Sequence, residues 1–270
     1  MTHFNRILIT GAAGRLGTQL RKGLASLAQN IRITDRVQME NIQSHEEAII
    51  CELGDYEAIL ALTRNVDAII HFGGAALEQG FETILDSNIR GSYNIYEGAR
   101  KNAVKRVIYA SSVHAIGYHE IGSYIDADAP VRPDSLYGVS KNFVESLSRL
   151  YWDKFGIESL CLRIFSSFPE PADRRMLWSW LSFEDCIRYV ERGLMAPYLG
   201  HTIGFGISDN RLRMVDDSQA GHIGFKPQDS SEPFRAAVEA TTDIPDPTTP
   251  GVKYFGGWFC ELDHPDDEFK

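Results

Sequence analysis

The chain has 270 residues and a mass of 30.3 kDa, enough for one large α/β domain or for a main domain with a small appendage. Its formal net charge of −10 and the lack of a basic stripe argue against a nucleic-acid partner, and an anionic substrate then needs local positive charge. No apolar stretch reaches about 18 residues and the first residues carry no leader pattern, so we expect neither a membrane span nor a secretory signal.

The cysteines are widely spaced and form no C-x-x-C pair. They are Cys51, Cys161, Cys186 and Cys260. This spacing indicates free thiols in a reducing compartment rather than disulfides or zinc ligands. We therefore expect a cytoplasmic protein without a bound metal.

Short apolar runs alternate with longer segments of helical spacing. The runs predict strands at residues 6–10, 31–34, 48–53, 67–74, 106–112 and 159–165. The segments between them predict helices at 15–28, 55–64, 82–102 and 137–155. Because the strands are almost continuously apolar, we expect a parallel sheet that is covered on both faces. The order of elements predicts an α/β fold with a doubly wound, Rossmann-type sheet.

The pattern changes after the sixth predicted strand, where proline, glycine and aromatic residues interrupt the alternation. One further helix is predicted at 182–194, and Ser182 and Asp185 have the spacing of a capping box at its start. We expect a main domain at 1–165 and a small cap at 166–270 that packs on the same sheet.

Three glycines, Gly11, Gly14 and Gly17, follow the first predicted strand in the sequence GAAGRLG and open a helix. Such a turn lets the backbone approach a pyrophosphate, and the helix N-terminus offers N–H groups to the anion. Arg15 and Leu16, inside the turn, are assigned to the same site. The turn predicts a dinucleotide cofactor bound by the main domain.

An acidic residue, Asp35, ends the second predicted strand. A carboxylate there can accept hydrogen bonds from both adenosine ribose hydroxyls and repels a 2′-phosphate, which favours NAD over NADP. Arg36 is adjacent and can bind that phosphate, so the strictness of the preference stays open.

Four more residues are predicted at the carboxyl edge of the sheet. Gly73 and Gly74 follow the fourth strand, and Glu52 and Leu53 end the third strand where they can border an adenine. Ligands of open α/β sheets bind at this edge. Ordinary turn chemistry is the alternative reading.

Tyr137 and Lys141 lie four residues apart in LYGVSK, and both side chains therefore point off one face of a helix. Ser112 ends the fifth strand, and a loop can bring its hydroxyl beside the start of this helix. A lysine ammonium and a positively charged nicotinamide ring favour the tyrosine phenolate, so that tyrosine can act as a base. The three residues are our candidate catalytic group.

Together, TGAAGRLG, the serine pair that ends strand five, YGVSK and Asn88 resemble the extended short-chain dehydrogenase/reductase family over roughly the first 165 residues. The resemblance implies that the glycines and Asn88 bind the cofactor. It also implies that Ser112 is a catalytic serine, that Tyr137 is the base, and that Lys141 holds the nicotinamide ribose.

That family contains epimerases, dehydratases, reductases and sugar dehydrogenases, so the fold leaves the reaction open. The residues after Ser112 are Val113 and His114, and the absence of an acid there disfavours dehydration. The short C-terminal segment disfavours a nucleotide-sugar epimerase. RIFSSFPEPADRRMLWSWLS and HIGFKPQDSSEPFR resemble the corresponding segments of uronate dehydrogenases.

This second resemblance implies oxidation of C1 of a free hexuronic acid, glucuronate or galacturonate, to the aldaro-lactone. It assigns the substrate carboxylate to Arg175 and sugar hydroxyls to Ser166 and His114. The group typically has a polar residue at the position of Val113 and a serine near Ala76. The loss of two possible hydrogen bonds to sugar hydroxyls leaves the preferred uronic acid open.

Two alternatives stay open: an epimerase or reductase that acts on another sugar or a nucleotide sugar, and a non-catalytic dinucleotide sensor. The retained Tyr137 and Lys141 argue against a sensor. By the same resemblance we expect a homo-oligomer that pairs through the helices at 82–102 and 137–155.

Overall fold

Seven strands lie side by side in one parallel sheet within residues 3–267, the part of the chain that the computed structural model describes. They are β1 (Phe4–Thr10), β2 (Ala28–Asp35), β3 (Glu46–Ile50), β4 (Ala68–His71), β5 (Arg106–Ser112), β6 (Glu158–Ile164) and β9 (His201–Gly206). Their order is β3-β2-β1-β4-β5-β6-β9, and every neighbouring pair is parallel. β7 (Ser166–Ser167) and β8 (Trp180–Leu181) pair separately. The predicted doubly wound sheet is confirmed.

Helices cover both faces of this sheet. The helices of the described residues are α1 (Arg15–Gly23), α2 (Tyr56–Leu62), α3 (Phe81–Ile84), α4 (Gly91–Lys101), α5 (Leu136–Phe155), α6 (Met176–Ser179), α7 (Phe183–Met195), α8 (Arg235–Thr241) and α9 (Pro250–Lys253). A π-helical turn, Leu85–Arg90, joins α3 to α4, so the helix predicted at 82–102 is one stretch with a widened turn in its middle. None of the described helices is both long enough and apolar enough to cross a membrane.

The predicted elements differ from the observed ones mainly where a turn begins. The strand predicted at 67–74 ends at His71, because Gly73 and Gly74 have already left the sheet. The helix predicted at 15–28 ends at Gly23, since β2 starts at Ala28. Both differences shorten an element and leave the topology unchanged.

The seventh strand, β9, was not predicted. It comes from the segment assigned to the cap, and it pairs with β6 from Ser159 beside His201 to Ile164 beside Gly206. Its glycines hide the strand pattern, yet they are needed for packing. A Cβ on Gly204 would lie 2.1 Å from the hydroxyl oxygen of Tyr189 in α7. The cap therefore contributes a strand to the main sheet.

Two apolar cores fill the spaces between the sheet and its helices. One lies on the α1 and α7 face and includes Leu20 and Val190, and the other lies on the face of α2, α4 and α5 and includes Ile95 and Val144. A third cluster joins the cap to the carboxyl end of the sheet. It contains Val113, Ile116, Ile125, Phe165, Trp178, Phe205, Ile207, Val215 and Phe255. The third cluster holds the cap against the edge where the predicted site lies.

The start of α7 follows the predicted capping box only in part. The Ser182 hydroxyl accepts a hydrogen bond from the backbone N–H of Asp185 at 2.8 Å, as predicted. The Asp185 carboxylate does not return this bond; it accepts from the Ser208 hydroxyl at 2.7 Å and from Gln228 N–H at 2.9 Å. Asp185 therefore ties the cap loops to α7.

A buried ion pair lies beneath the carboxyl edge of the sheet. Arg163 on β6 donates to Glu145 on α5 at 2.9 Å, and both side chains are almost completely buried. The Ser111 hydroxyl donates to the same carboxylate at 2.5 Å. Because two opposite charges are removed from water together, each depends on the other for compensation.

We expect Glu145→Gln to lower the free energy of unfolding by about 3 to 5 kcal/mol, because it leaves the buried Arg163 guanidinium without a counter-charge. Urea unfolding followed by circular dichroism measures this. Asp153→Asn is the matched control, since Asp153 pairs with Arg149 on the exposed face of the same helix. It should change the free energy by no more than about 0.5 kcal/mol. Equal effects of the two variants would contradict the prediction.

Candidate active site

The glycine turn between β1 and α1 is shaped by close backbone contacts. Gly11 has a φ of +70°, and a Cβ there would lie 2.5 Å from the carbonyl oxygen of Phe72. A Cβ on Gly17 would lie 2.0 Å from the carbonyl oxygen of Gly11. No side chain caps α1, and the N–H groups of Arg15 and Leu16 have no acceptor within the described residues. The turn therefore presents the positive end of a helix at the sheet edge, which fits a pyrophosphate.

Asp35 lies beside this turn, at the end of β2. Its Oδ2 accepts the backbone N–H of Ala13 at 3.0 Å, and the side chain is half-buried. A carboxylate held at this position suits the ribose hydroxyls of an adenosine. The Arg15 guanidinium instead donates to the carbonyl oxygen of Ser167 at 3.2 Å and lies over the Phe168 ring. A direct role of the Arg15 side chain in cofactor binding stays a prediction.

Residues from three neighbouring strand ends border the turn. Leu53 follows β3. A Cβ on Gly73 or on Gly91 would contact the Leu53 side chain. Gly73 donates its N–H to the Thr10 hydroxyl at 3.0 Å, which fixes the exit from β4. Glu52 precedes Leu53 and is exposed. Glu52 and Leu53 were predicted to end the third strand, but β3 ends at Ile50 and both residues lie in the turn after it. The contacts of these residues with the cofactor stay predictions.

Asn88, in the π-helical turn, holds the loop after β4. Its Oδ1 accepts the N–H of Ala75 at 2.7 Å, and its Nδ2 donates to the Ala75 carbonyl and to the Ser140 hydroxyl, each at 3.1 Å. Gly74, with a φ of +129°, would place a Cβ 2.7 Å from Asn88 Oδ1. The Asn88 amide is thus occupied by the protein, and a direct contact with cofactor, predicted by resemblance, stays a prediction.

The first turn of α5 carries Tyr137 and is fixed by acceptors from two directions. The Ser135 hydroxyl accepts the N–H of Gly138 at 3.0 Å. The Glu78 carboxylate accepts the N–H groups of Leu136 at 2.9 Å and Tyr137 at 2.7 Å. Glu78 was not predicted from the sequence, because an exposed-looking acid in a loop carries no signal of its partner.

Ser112, Tyr137 and Lys141 come together as predicted. A Cβ on Gly138 would lie 2.3 Å from the carbonyl oxygen of His114, so α5 approaches the turn after β5 very closely. The Lys141 ammonium lies 5.1 Å from the Tyr137 ring centroid and donates to the carbonyl oxygen of Ala110 at 2.7 Å. The Ser112 hydroxyl accepts the N–H of His114 at 3.3 Å and keeps its own proton for another acceptor.

Burial dominates the proton affinities of this pair. It raises the pKa of Tyr137 to about 12, with the Ser112 hydroxyl acting in the opposite direction. Burial lowers the pKa of Lys141 to about 7, and the Glu145 carboxylate opposes this. In the protein alone, burial outweighs any effect of Lys141 on the tyrosine. The stabilisation of the phenolate expected from Lys141 is therefore not seen in the protein alone, and the contribution of a nicotinamide ring stays a prediction.

The Lys141 pKa has a consequence for stability. Because its value of about 7 in the folded protein lies below the ordinary 10.5, the unfolded chain binds more protons between these pH values. This group therefore makes the folded state more stable as the pH rises through that window.

We expect the free energy of unfolding of the wild type to rise relative to Lys141→Met by about 1 kcal/mol per pH unit between about pH 7.5 and pH 9.5. Urea titrations of both proteins without cofactor, at several pH values, give this difference. A difference that does not change with pH would mean that Lys141 has an ordinary pKa in the folded protein.

Arg175 lies where the cap meets the site. Its guanidinium donates to the Ser166 hydroxyl at 2.6 Å and to the carbonyl oxygen of Phe255. Its Nε is buried and has no partner within residues 3–267. Burial lowers its pKa, since the guanidinium is partly removed from water. A carboxylate ligand would relieve this cost, which agrees with the role predicted for Arg175.

The neighbouring Arg174 has a different role. It donates to the carbonyl oxygens of Glu239 at 2.9 Å and Thr242 at 3.2 Å, at the carboxyl end of α8. These are the last carbonyls of a helix, which a cation stabilises. Arg174 therefore holds the end of α8.

An aromatic residue from the C-terminal part of the chain completes the site. Phe259 stacks on His114 with ring centroids 3.7 Å apart and lies 6.1 Å from the Tyr137 ring. Gly256 N–H donates to the Gly117 carbonyl at 2.9 Å, which attaches this segment to the turn after β5. Phe259 was missed; the only signal was the aromatic run FGGWF before the acidic tail.

Val113 packs in the third apolar cluster and is 2 % exposed. The expected loss of a hydrogen bond to a sugar hydroxyl at this position stays a prediction. Ala76 is exposed in the loop after β4, so its effect on substrate choice stays open.

A dinucleotide turn that leads to a buried tyrosine and lysine defines an NAD-dependent oxidoreductase of the Rossmann type. Residues 7–181 match the NAD dependent epimerase/dehydratase family, and the chain belongs to that family.

Among curated proteins, the uronate dehydrogenase of Pseudomonas putida is 50% identical over 96% of this chain and 97% of its own length. Among solved structures, a glucuronic acid dehydrogenase from Chromohalobacter salexigens is 44% identical with a TM-score of 0.96, over 98% of this chain and 99% of that one. A uronate dehydrogenase from Agrobacterium tumefaciens, a tyrosine-to-alanine mutant complexed with NAD, is 42% identical with a TM-score of 0.94, over 96% and 98%.

Proposed function

We propose that the protein is an NAD-dependent uronate dehydrogenase that oxidises C1 of free glucuronate or galacturonate to the aldaro-lactone. Arg175 carries this proposal, because it has a buried guanidinium nitrogen without a partner within the described residues, and such a group suits a substrate that has a carboxylate as well as an oxidisable hydroxyl. The names and the nearly full-length similarity of the relatives support the same substrate class.

The residues of the chain divide the reaction between them. Tyr137 takes the proton of the C1 hydroxyl, and the Ser112 hydroxyl, whose own proton is free, aligns that oxygen. Lys141, held by the Ala110 carbonyl, favours the phenolate when its amino group is protonated. Bound NAD⁺ supplies the electron acceptor for C1. Arg175 and Ser166 hold the carboxylate at the opposite end of the sugar.

We expect the wild type to form NADH from NAD⁺ with glucuronate or galacturonate, and Tyr137→Phe to lower kcat at least about 100-fold, because the general base is lost. Absorbance at the NADH band measures the rate, and NAD⁺ binding by calorimetry shows that the variant is still folded.

Three outcomes separate this reading from the alternatives. Turnover of a nucleotide sugar without net NADH indicates an epimerase. Binding of NAD⁺ without turnover of any sugar indicates a sensor. Full activity of Tyr137→Phe means that another group is the base.

The two adjacent arginines form a matched pair for testing the carboxylate site. We expect Arg175→Ala to raise KM for the uronic acid at least about tenfold with little change in KM for NAD⁺, because a charge-assisted hydrogen bond is lost. Arg174→Ala should leave both KM values unchanged and lower the free energy of unfolding by about 1 kcal/mol, because α8 loses its cap. Initial rates and urea unfolding measure these effects. An unchanged KM in Arg175→Ala would place the carboxylate elsewhere.

We further propose that the protein self-associates through α4 and α5. Val139, Phe143 and Leu150 are exposed on one face of α5, and Tyr93 is exposed on α4, which packs against α5. Isolated apolar side chains are ordinary on surfaces, but a stripe along one helix suits a second copy of the chain.

Phe143→Asp should shift the protein to a smaller species in sedimentation, because it places a charge in the apolar contact. Tyr198→Asp is a control, since Tyr198 is also an exposed aromatic residue but lies outside α4 and α5. A wild type that is already monomeric would contradict the proposal.

We also assign the protein to the cytoplasm, as the thiols suggest. The cysteines are free, and Cys51, Cys161 and Cys186 are buried. Burial raises the pKa of Cys161 and of Cys186 to about 12, so these thiols stay protonated and inert. Thiols without disulfide partners suit a reducing compartment. Localisation of a tagged full-length chain tests this assignment.

A further inference from the structure

His114 has a buried carboxylate as its partner. Its Nδ1 lies 2.8 Å from Oδ2 of Asp134, whose side chain is fully buried. The other carboxylate oxygen, Oδ1, accepts the Ser135 hydroxyl at 2.8 Å. The imidazole itself is 14% exposed, and its Nε2 has no hydrogen-bond partner within the described residues. One nitrogen of the ring is thus held by the protein, and the other is free for a ligand.

Two glycines make room for this carboxylate. A Cβ on Gly117 would lie 1.9 Å from Asp134 Oδ2, and a Cβ on Gly256 would lie 1.8 Å from it. The glycines come from different segments, the turn after β5 and the C-terminal part, and they are joined by the hydrogen bond from Gly256 N–H to the Gly117 carbonyl. Asp134 occupies a space that would be filled if position 117 or position 256 carried any residue other than glycine.

The hydrogen bonds determine which nitrogen of His114 carries a proton. A carboxylate that accepts from the Ser135 hydroxyl and lies against Nδ1 favours a proton on Nδ1. In the neutral ring Nε2 is then an acceptor. The ring orientation is also fixed, because the imidazole stacks on Phe259 at 3.7 Å and meets the Tyr137 ring edge-on at 5.6 Å.

We propose that Asp134 is a positioning residue that keeps the proton on Nδ1 of His114, so that Nε2 accepts a hydrogen bond from the C2 hydroxyl of the uronic acid. This inference rests on the proposed function. Tyr137 acts on the C1 hydroxyl and its ring is adjacent to that of His114, and C2 is the carbon bonded to C1. Arg175 and Ser166 occupy the carboxylate end of the sugar.

A buried acceptor of this kind selects for a hydroxyl donor, because a substrate that lacks the hydroxyl leaves the acceptor unpaired. His114 therefore contacts the hydroxyl on C2, the carbon next to the one that is oxidised. Glucuronate and galacturonate share the same configuration at C2, so the His114–Asp134 pair accepts both.

The tautomer is measured directly by ¹⁵N NMR of the imidazole in the protein without substrate, at alkaline pH where the ring is neutral. His114→Gln assigns the signal. We expect a protonated Nδ1 and an unprotonated Nε2 in the wild type, and the reverse in Asp134→Asn, whose amide can donate to Nδ1. A proton on Nε2 in the wild-type neutral ring overturns the proposal. It would mean that Asp134 is protonated and donates.

Steady-state kinetics test the hydrogen bond between His114 and the C2 hydroxyl. In the wild type, kcat/KM for 2-deoxyglucuronate should be about 100-fold below that for glucuronate, and in His114→Phe the two should differ only about threefold, because no ring nitrogen remains to bond the hydroxyl. Asp134→Asn should raise KM for glucuronate about tenfold and leave KM for NAD⁺ unchanged. Asp128→Asn, the same change at an exposed position of the same loop, should behave as the wild type.

An equal penalty for the missing hydroxyl in wild type and His114→Phe overturns the C2 assignment. If the wild type oxidises no uronic acid, the proposed function fails, while the NMR result still decides the state of the His114–Asp134 pair on its own.

Discussion

The close approach of α5 to the turn after β5 is the constraint on which the site depends. This approach requires Gly138, since any Cβ there would meet the His114 carbonyl. It also requires that α5 always begin at the same residue. Ser135 and Glu78 supply that start by accepting the first free N–H groups. Tyr137 therefore faces Ser112 and His114 because of backbone contacts rather than because of its own side-chain partners.

Glu78 connects this helix to the cofactor side of the molecule. It lies on the loop after β4, whose backbone is held by Asn88 at Ala75. Asn88 also donates to Ser140, which is itself part of α5. The loop and the helix are thus joined at two points, one at each end of the first turn. A shift of either element would move the tyrosine relative to the glycine turn.

A buried pair of charged residues lies beneath the candidate catalytic residues. Glu145 lies one helical turn beyond Lys141, compensates Arg163 and opposes the loss of charge on the lysine. A single buried carboxylate therefore serves the stability of the sheet and the state of a catalytic residue. This sharing explains why a charged pair persists in a region that is otherwise apolar.

The sequence was sufficient for the parts of the protein that depend on local pattern. The strands, the glycine turn and the Ser112–Tyr137–Lys141 group follow from periodicity and spacing. The structure places the glycine turn and these three side chains at one edge of the sheet. Partners that are distant in the chain could not be predicted, because neither Glu78 nor Phe259 differs locally from an ordinary loop residue. β9 was missed for a related reason: Gly204 is required by Tyr189, a contact that no local pattern encodes.

The distribution of the site along the chain gives the C-terminal segment a particular importance. The cofactor turn is built from β1, α1 and the end of β4, whereas Phe255 and Phe259 reach Arg175 and His114 from much later in the chain. A change in the C-terminal segment therefore acts on Arg175 and His114 rather than on the glycine turn. Affinity for the cofactor and choice of substrate can thus vary independently of each other.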